Sequence, residues 1–164
     1  VFHALTDRLE RIDLEDYTHS QLAEIIHRNL GDVEFEDGVL EQFVAPVLRG
    51  NARAAQKMAA NIRMFIGKSK TFFKEEWQEL CYELGIRPLG LTPLEIQVLR
   101  TLQQHKETSL TRLSAVTGMT KDSLQKDVEM FLQKQDLMQI TTSGRALTGK
   151  GIEYLKMLYG GAIA

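Results

Sequence analysis

Several features that would classify a sequence quickly are scarce or missing here. There is one cysteine, Cys81, so no internal disulfide can form. A lone thiol suits a reducing compartment, and a cytoplasmic location is expected. No apolar run approaches the roughly 20 residues of a membrane span, and no secretory signal pattern opens the chain. No membrane association is expected. The net charge is −2 over 164 residues, so the chain as a whole is no polyanion binder. Any contact with nucleic acid has to come from a local patch. The phosphate-loop pattern G-x-x-x-x-G-K-[ST] is absent: "GRALTGKG" at 144–151 has Gly151 where Ser or Thr must follow the lysine. Nucleotide triphosphate binding by that route alone is excluded. His3, His19, His27 and His105 are scattered, with no second histidine or cysteine at metal-ligand spacing, so no metal site is expected. No pair of acids stands out as general acid and base. There is no internal repeat.

What is present is a chain with 43% hydrophobic residues, enough for a packed core. Residues 1–16 are charged, and Ile12 and Leu14 alternate with acids, which suggests a short extended piece. Thr18 with Gln21 reads as a capping box, followed by Leu22, Ile25, Ile26 and Leu30 at helical spacing. A second short helix is predicted from about Asp37, carrying Val39, Leu40, Phe43 and Val44 inward. A third begins near Asn51, with Ala54, Ala55, Met58 and Ile62 on one face. A fourth runs from about Phe72 to Leu84, with Trp77, Leu80, Cys81 and Leu84 on one face. Gly31, Gly67 and Gly85 mark the stops. Residues 1–87 therefore read as a small helical bundle with an opening segment at 1–16.

Residues 88–164 read differently. Thr92, Pro93 and Glu95 make a complete helix start. Helices are predicted to about His105, over Leu110–Val116, and from Lys121 to about Lys134 after a turn at Gly118. "LMQIT" and "RALT", separated by "TSG", have hairpin chemistry. A last helix covers about Lys150 to Tyr159. Helix, helix, turn, helix, hairpin is the order of a winged helix-turn-helix. The fold class is mainly α, a helical bundle followed by a winged helix with a short β-hairpin. Such a domain serves in DNA binding, in transcription regulators and in protein-binding modules, and the element order does not decide among them.

The stretch "RGNAR", residues 49–53, poses an electrostatic question. A helix N-terminus carries partial positive charge, so cations beside it are unfavourable unless an anion joins them. Arg53 has two readings, a surface arginine satisfied by water or a ligand for phosphate. Arg49 reads as a packing or ion-pairing residue.

Four segments in order, "LTDRLERIDLEDY", "RGNAR", "KDSLQKDVEMFL" and "TTSGRALT", resemble the C-terminal portion of the RuvB family, bacterial Holliday-junction branch-migration ATPases of the AAA+ class. The resemblance runs from residue 5 to residue 155. It implies that the bundle is an AAA+ lid and that the winged helix contacts DNA. It implies an ATPase core with a phosphate loop upstream; a chain opening on Val1 rather than methionine fits a portion of a longer protein, inert by itself. ATP and magnesium are the implied cofactors of the full-length helicase or translocase. The implied partners are branched or duplex DNA, other copies in a hexameric ring, and a RuvA-like junction-binding protein.

Residue by residue, Arg53 matches the family's second-sensor arginine, which reaches the nucleotide's γ-phosphate; the family's proline before it is Ala52 here. Tyr17 matches the nucleotide-contacting tyrosine. Arg8 matches an arginine that projects into the neighbouring subunit's nucleotide site as a finger in trans. Lys121 and Arg145 match positions facing DNA phosphates. A further DNA-contacting arginine of the family is Ile140 here. Lys126, Lys134 and Lys150 are possible substitutes, although Asp122, Asp127 and Glu129 interleave with them on what reads as a solvated face. A RuvB-like ATPase with another client, or a non-enzymatic winged-helix module, also fits these departures.

Overall fold

The computed structural model describes residues 15–160, which divide into two compact units between Gly90 and Leu91. The extended piece expected around Ile12 and Leu14, and Arg8 with it, lie outside the described residues.

In the first unit, α1 (His19–Asn29) starts where its capping box predicts. The Thr18 hydroxyl accepts from the Gln21 N–H at 3.2 Å, and the Gln21 side chain accepts from the Thr18 N–H at 2.9 Å. α1 packs on α2 (Ala52–Ile66). Ala23 on one helix and Ala55 and Ala59 on the other are buried, and such small side chains let two helix backbones approach closely. Met58 and Ile62 fill the remaining space, each burial contributing about 1.5–3 kcal/mol. Val39, Leu40 and Val44 do point inward, but not from a regular α-helix. Leu40–Val44 forms a wide π-helical turn that tightens into a 3₁₀ turn at Ala45–Leu48.

The bundle also contains a piece of sheet that periodicity did not predict. β1 (Glu34–Phe35) and β2 (Thr71–Phe72) pair in parallel, Glu34 opposite Thr71 and Phe35 opposite Phe72. Phe72, placed in the fourth helix by its sequence, is instead a fully buried strand residue. α3 (Lys74–Leu84) begins two residues later, its first N–H groups taken by carboxylates: Phe73 N–H by Glu76 and Lys74 N–H by Glu36, both at 2.8 Å. Acids at this end also suit the helix dipole.

The second unit opens with α4 (Pro93–His105), capped by Thr92 and Glu95. β3 (Glu107–Thr108), too short to carry a sequence signal, leads into α5 (Leu110–Thr117), capped by Ser109. After the turn at Gly118, α6 spans residues 121–134. Its ends are α-helical, and its middle, Leu124–Glu129, widens into a π-helical segment. β4 (Met138–Ile140) and β5 (Arg145–Leu147) form the expected hairpin, and β3 adds a third antiparallel strand in the order β3-β5-β4. Gly144 at the turn is held by its surroundings: a Cβ there would lie 2.7 Å from the Thr108 carbonyl oxygen. α7 (Gly149–Leu158) closes the unit, and the Arg100 guanidinium sits 5.2 Å from the centre of the Tyr159 ring, within cation–π range. This is a winged helix, in which α5 and α6 form the helix-turn-helix and the β-hairpin is the wing. None of the described helices is long and apolar enough to cross a membrane.

Candidate functional site

The first candidate site grows out of "RGNAR". Arg49 adopts a left-handed conformation (φ 55°) at the end of the 3₁₀ turn, and Gly50 follows with φ 72°. The two reverse the chain so that Asn51 caps α2. The Asn51 side-chain oxygen accepts from the N–H groups of Arg53 and Ala54 at 2.9 and 3.2 Å. Two of the helix's orphan donors are thereby satisfied internally. The guanidinium of Arg53 remains. It is exposed, has no ion-pair partner among the described residues, and no acid occupies the first turn of its helix. A positive side chain on a positive helix end, with no acid in the helix's first turn, suits an anion, although the Asp16 carboxylate also lies beside Gly50 in this corner.

Tyr17 comes to the same corner by a backbone link. Its N–H donates to the Gly50 carbonyl at 3.0 Å. The approach is tight enough that a Cβ on Gly50 would stand 2.5 Å from that of Asp16. Tyr17 is 46% exposed. Tyr17 and Arg53, 36 positions apart in sequence, thus flank one loop.

In the winged helix, Lys121 is the first residue of α6. It is exposed and has no ion-pair partner among the described residues. Lys126 pairs with Asp122 at 3.0 Å across one helical turn. Arg145 behaves otherwise. Its Nε and Nη2 donate to the two carboxylate oxygens of Glu129 at 2.6 and 3.2 Å. The two side chains are only 14% and 2% exposed. The fork engages the Arg145 guanidinium with a buried carboxylate of α6. Glu129, which reads from sequence as one of the solvated acids of α6, is one of its buried residues. The available signal was its place directly after Val128 and three before Leu132, at the edge of the helix's apolar stripe. Ile140, directly opposite Arg145 in the sheet, is 53% exposed.

Burial pushes the Cys81 thiol up to about 11, which makes it a poor nucleophile at neutral pH. Among the described residues, no three of His, Cys, Asp and Glu gather closely enough to hold a metal ion.

Comparison with known proteins bears on this arrangement. The family described as RuvB C-terminal winged helix domain matches residues 88–156. Similarity to RuvB proteins also extends through the first unit. The chain is 29% identical over 153 residues to the Holliday junction branch migration complex subunit RuvB of Ehrlichia canis, covering 88% of this chain and 46% of that protein. It is 28% identical over 151 residues to the RuvB subunit of Pseudothermotoga lettingae, covering 88% of this chain and 44% of that protein. The fold superposes on a mutant form of Thermotoga maritima RuvB with a TM-score of 0.77 at 29% identity, covering 93% of this chain and 53% of that one. A second Thermotoga maritima structure, described as the RuvB Holliday junction branch migration motor, gives a TM-score of 0.73 at 29% identity, covering 87% of this chain and 50% of that one. The chain thus spans about half the length of the RuvB proteins it matches.

Proposed function

We propose that this chain is the nucleotide-lid and DNA-contacting portion of a RuvB-type motor that couples ATP hydrolysis to branch migration in recombination and repair. The main support is an order: a helical unit in which Tyr17 and Arg53, the latter without an ion-pair partner among the described residues, flank one loop, then a RuvB-type winged helix, in a chain similar to RuvB along most of its length.

In this reading the first unit is an AAA+ lid, residues 1–87, and the winged-helix domain is residues 88–164. Arg53 binds and orients the γ-phosphate of ATP, and Tyr17 packs near the adenine. The corner suits a polyanion because the Arg53 guanidinium stands on a helix start with no acid in its first turn. ATP with magnesium supplies the driving free energy when a phosphate-loop core is joined to the lid; the 164 residues here contain no such loop. Arg8 serves as a finger toward the neighbouring subunit of a ring. Lys121 contacts DNA phosphate, and a RuvA-like protein recognises the junction. The setting is the cytoplasm. A direct test joins the chain to its ATPase core and changes Arg53 to alanine. The expected outcome is a fall in kcat of roughly 10³-fold or more, the scale of a transition-state arginine. Unchanged ATPase activity removes Arg53 from the site.

Two observations favour a second reading, a RuvB-like protein with a different client or a winged helix that binds protein. Arg145 is engaged internally, and Ile140 presents an apolar side chain where the family has arginine. Binding to DNA that is absent, or that ignores salt concentration, supports this alternative.

A further inference from the structure

Directly opposed residues of a sheet share one face. Thr108, Arg145 and Ile140 form such a row across β3, β5 and β4. From the middle of that row Arg145 reaches α6, 16 positions earlier in sequence, and takes both oxygens of Glu129. The π-helical segment of α6 ends at Glu129, and Val128 and Glu129 are both buried, at the edge of the helix's apolar stripe. The bond therefore joins the middle of the recognition helix to the central strand of the wing. For a phosphate to take Arg145, the arginine would have to leave a carboxylate that is 2% exposed, stranding a charge away from water.

We infer that Glu129 is a positioning residue: through Arg145 it fixes the wing on the recognition helix, and it keeps Arg145 off nucleic-acid phosphates, leaving Lys121 as a cation that meets them. The phosphate half of this inference rests on the proposed DNA-binding function. The helix–wing half does not.

The test uses the full chain with Glu129→Met, Arg145→Met, both together, and Arg145→Lys. Three quantities are measured: the melting temperature, hydrogen exchange of amides 138–147, and the salt dependence of affinity for a duplex oligonucleotide. Each single methionine variant should speed wing exchange by about tenfold or more, and the double should recover most of that protection, because no buried charge is left alone. Arg145→Lys keeps the charge but not the fork, so it should not restore protection. The double variant should bind DNA with the parent's salt slope. If the single variants fail to fold, a double variant that folds is itself the expected recovery, and a double variant that also fails to fold overturns the inference.

Two results overturn the inference. One is exchange in the double variant equal to the sum of the singles' effects. The other is a folded double variant with parental wing protection whose salt slope drops by about one, the signature of a lost phosphate contact. A parent chain without salt-dependent DNA binding rejects the DNA-binding function instead, while the exchange data continue to decide whether Glu129 fixes the wing.

Discussion

The two units bury different things. The described core of the first unit is apolar throughout, from Leu22 and Ile26 through Ala55 and Ile62 to Phe72 and Trp77. All four polar residues buried among the described ones, Glu95, Thr101, Thr108 and Glu129, belong to the second. Their candidate cations differ in the same way. Arg53 stands exposed on a helix start, whereas Arg145 is turned inward onto a carboxylate. An apolar core can hold a helix pair whose cation faces outward toward a ligand. A winged helix has a short hairpin to hold in place, and here a charge is used internally to do it. A matching arginine in a sequence therefore carries no role until its partner is known.

The contrast can be broken at its strongest point first. Glu129→Ala should cost about 3–5 kcal/mol in urea or thermal unfolding, because it leaves the Arg145 charge nearly buried and unpaired. In the first unit the comparable lesion is a cavity. Ile62→Ala should cost about 2–5 kcal/mol, with no change in salt sensitivity, since no charge is involved. Losing the cap of α2 is smaller: Asn51→Ala should destabilise by about 1 kcal/mol and fray the helix start that carries Arg53. Thr108→Val should act in the opposite direction. The Thr108 hydroxyl is buried without a hydrogen-bond partner among the described residues, so its removal should stabilise the second unit by about 1 kcal/mol.

The smallest effects are pH effects. The folded value for Cys81, about 11, lies above its ordinary 9.0 because burial disfavours the thiolate. A raised value stabilises below the unfolded pKa, so stability should decline as pH rises from about 9 to 11. The alkylation rate should still be climbing at about pH 10. Asp32 is held below the usual carboxylate range chiefly by its hydrogen bond to Arg63. That contribution is present above the unfolded value of 3.8 and is lost as pH falls through the lower folded value. The pair is exposed, so only a slight dip in melting temperature is expected at acid pH.

The parts of this fold that were legible in the sequence are those set within a few residues. Thr18 with Gln21, Thr92 with Glu95, and Asn51 place three helix starts because caps are local chemistry. The hairpin was legible from "TSG" between two alternating runs. The parallel pairing of Phe35 with Phe72 was not, because it joins segments 37 positions apart and spans two residues on each strand. β3 is equally short. Glu129 lies at the edge of the stripe formed by Leu124, Val128 and Leu132, and as a charged residue it reads as solvated until its buried partner is known. At the first site, the position of Arg53 on a helix start followed from "RGNAR", but its nearness to Tyr17 depends on a hydrogen bond to Gly50 that no spacing rule contains. At the second, a glycine–arginine pair in a wing is visible in sequence, and the carboxylate that occupies the arginine is not.

The central claim is that α6 offers a cation to DNA while the wing arginine does not. It is tested most directly by the affinity of the chain for a four-way junction as a function of salt, with and without Lys121→Ala. The account predicts that the logarithm of affinity falls linearly with the logarithm of salt concentration, and that the slope becomes shallower by about 0.9 when Lys121 is removed. A flat dependence, or a slope that Lys121→Ala leaves unchanged, would contradict it.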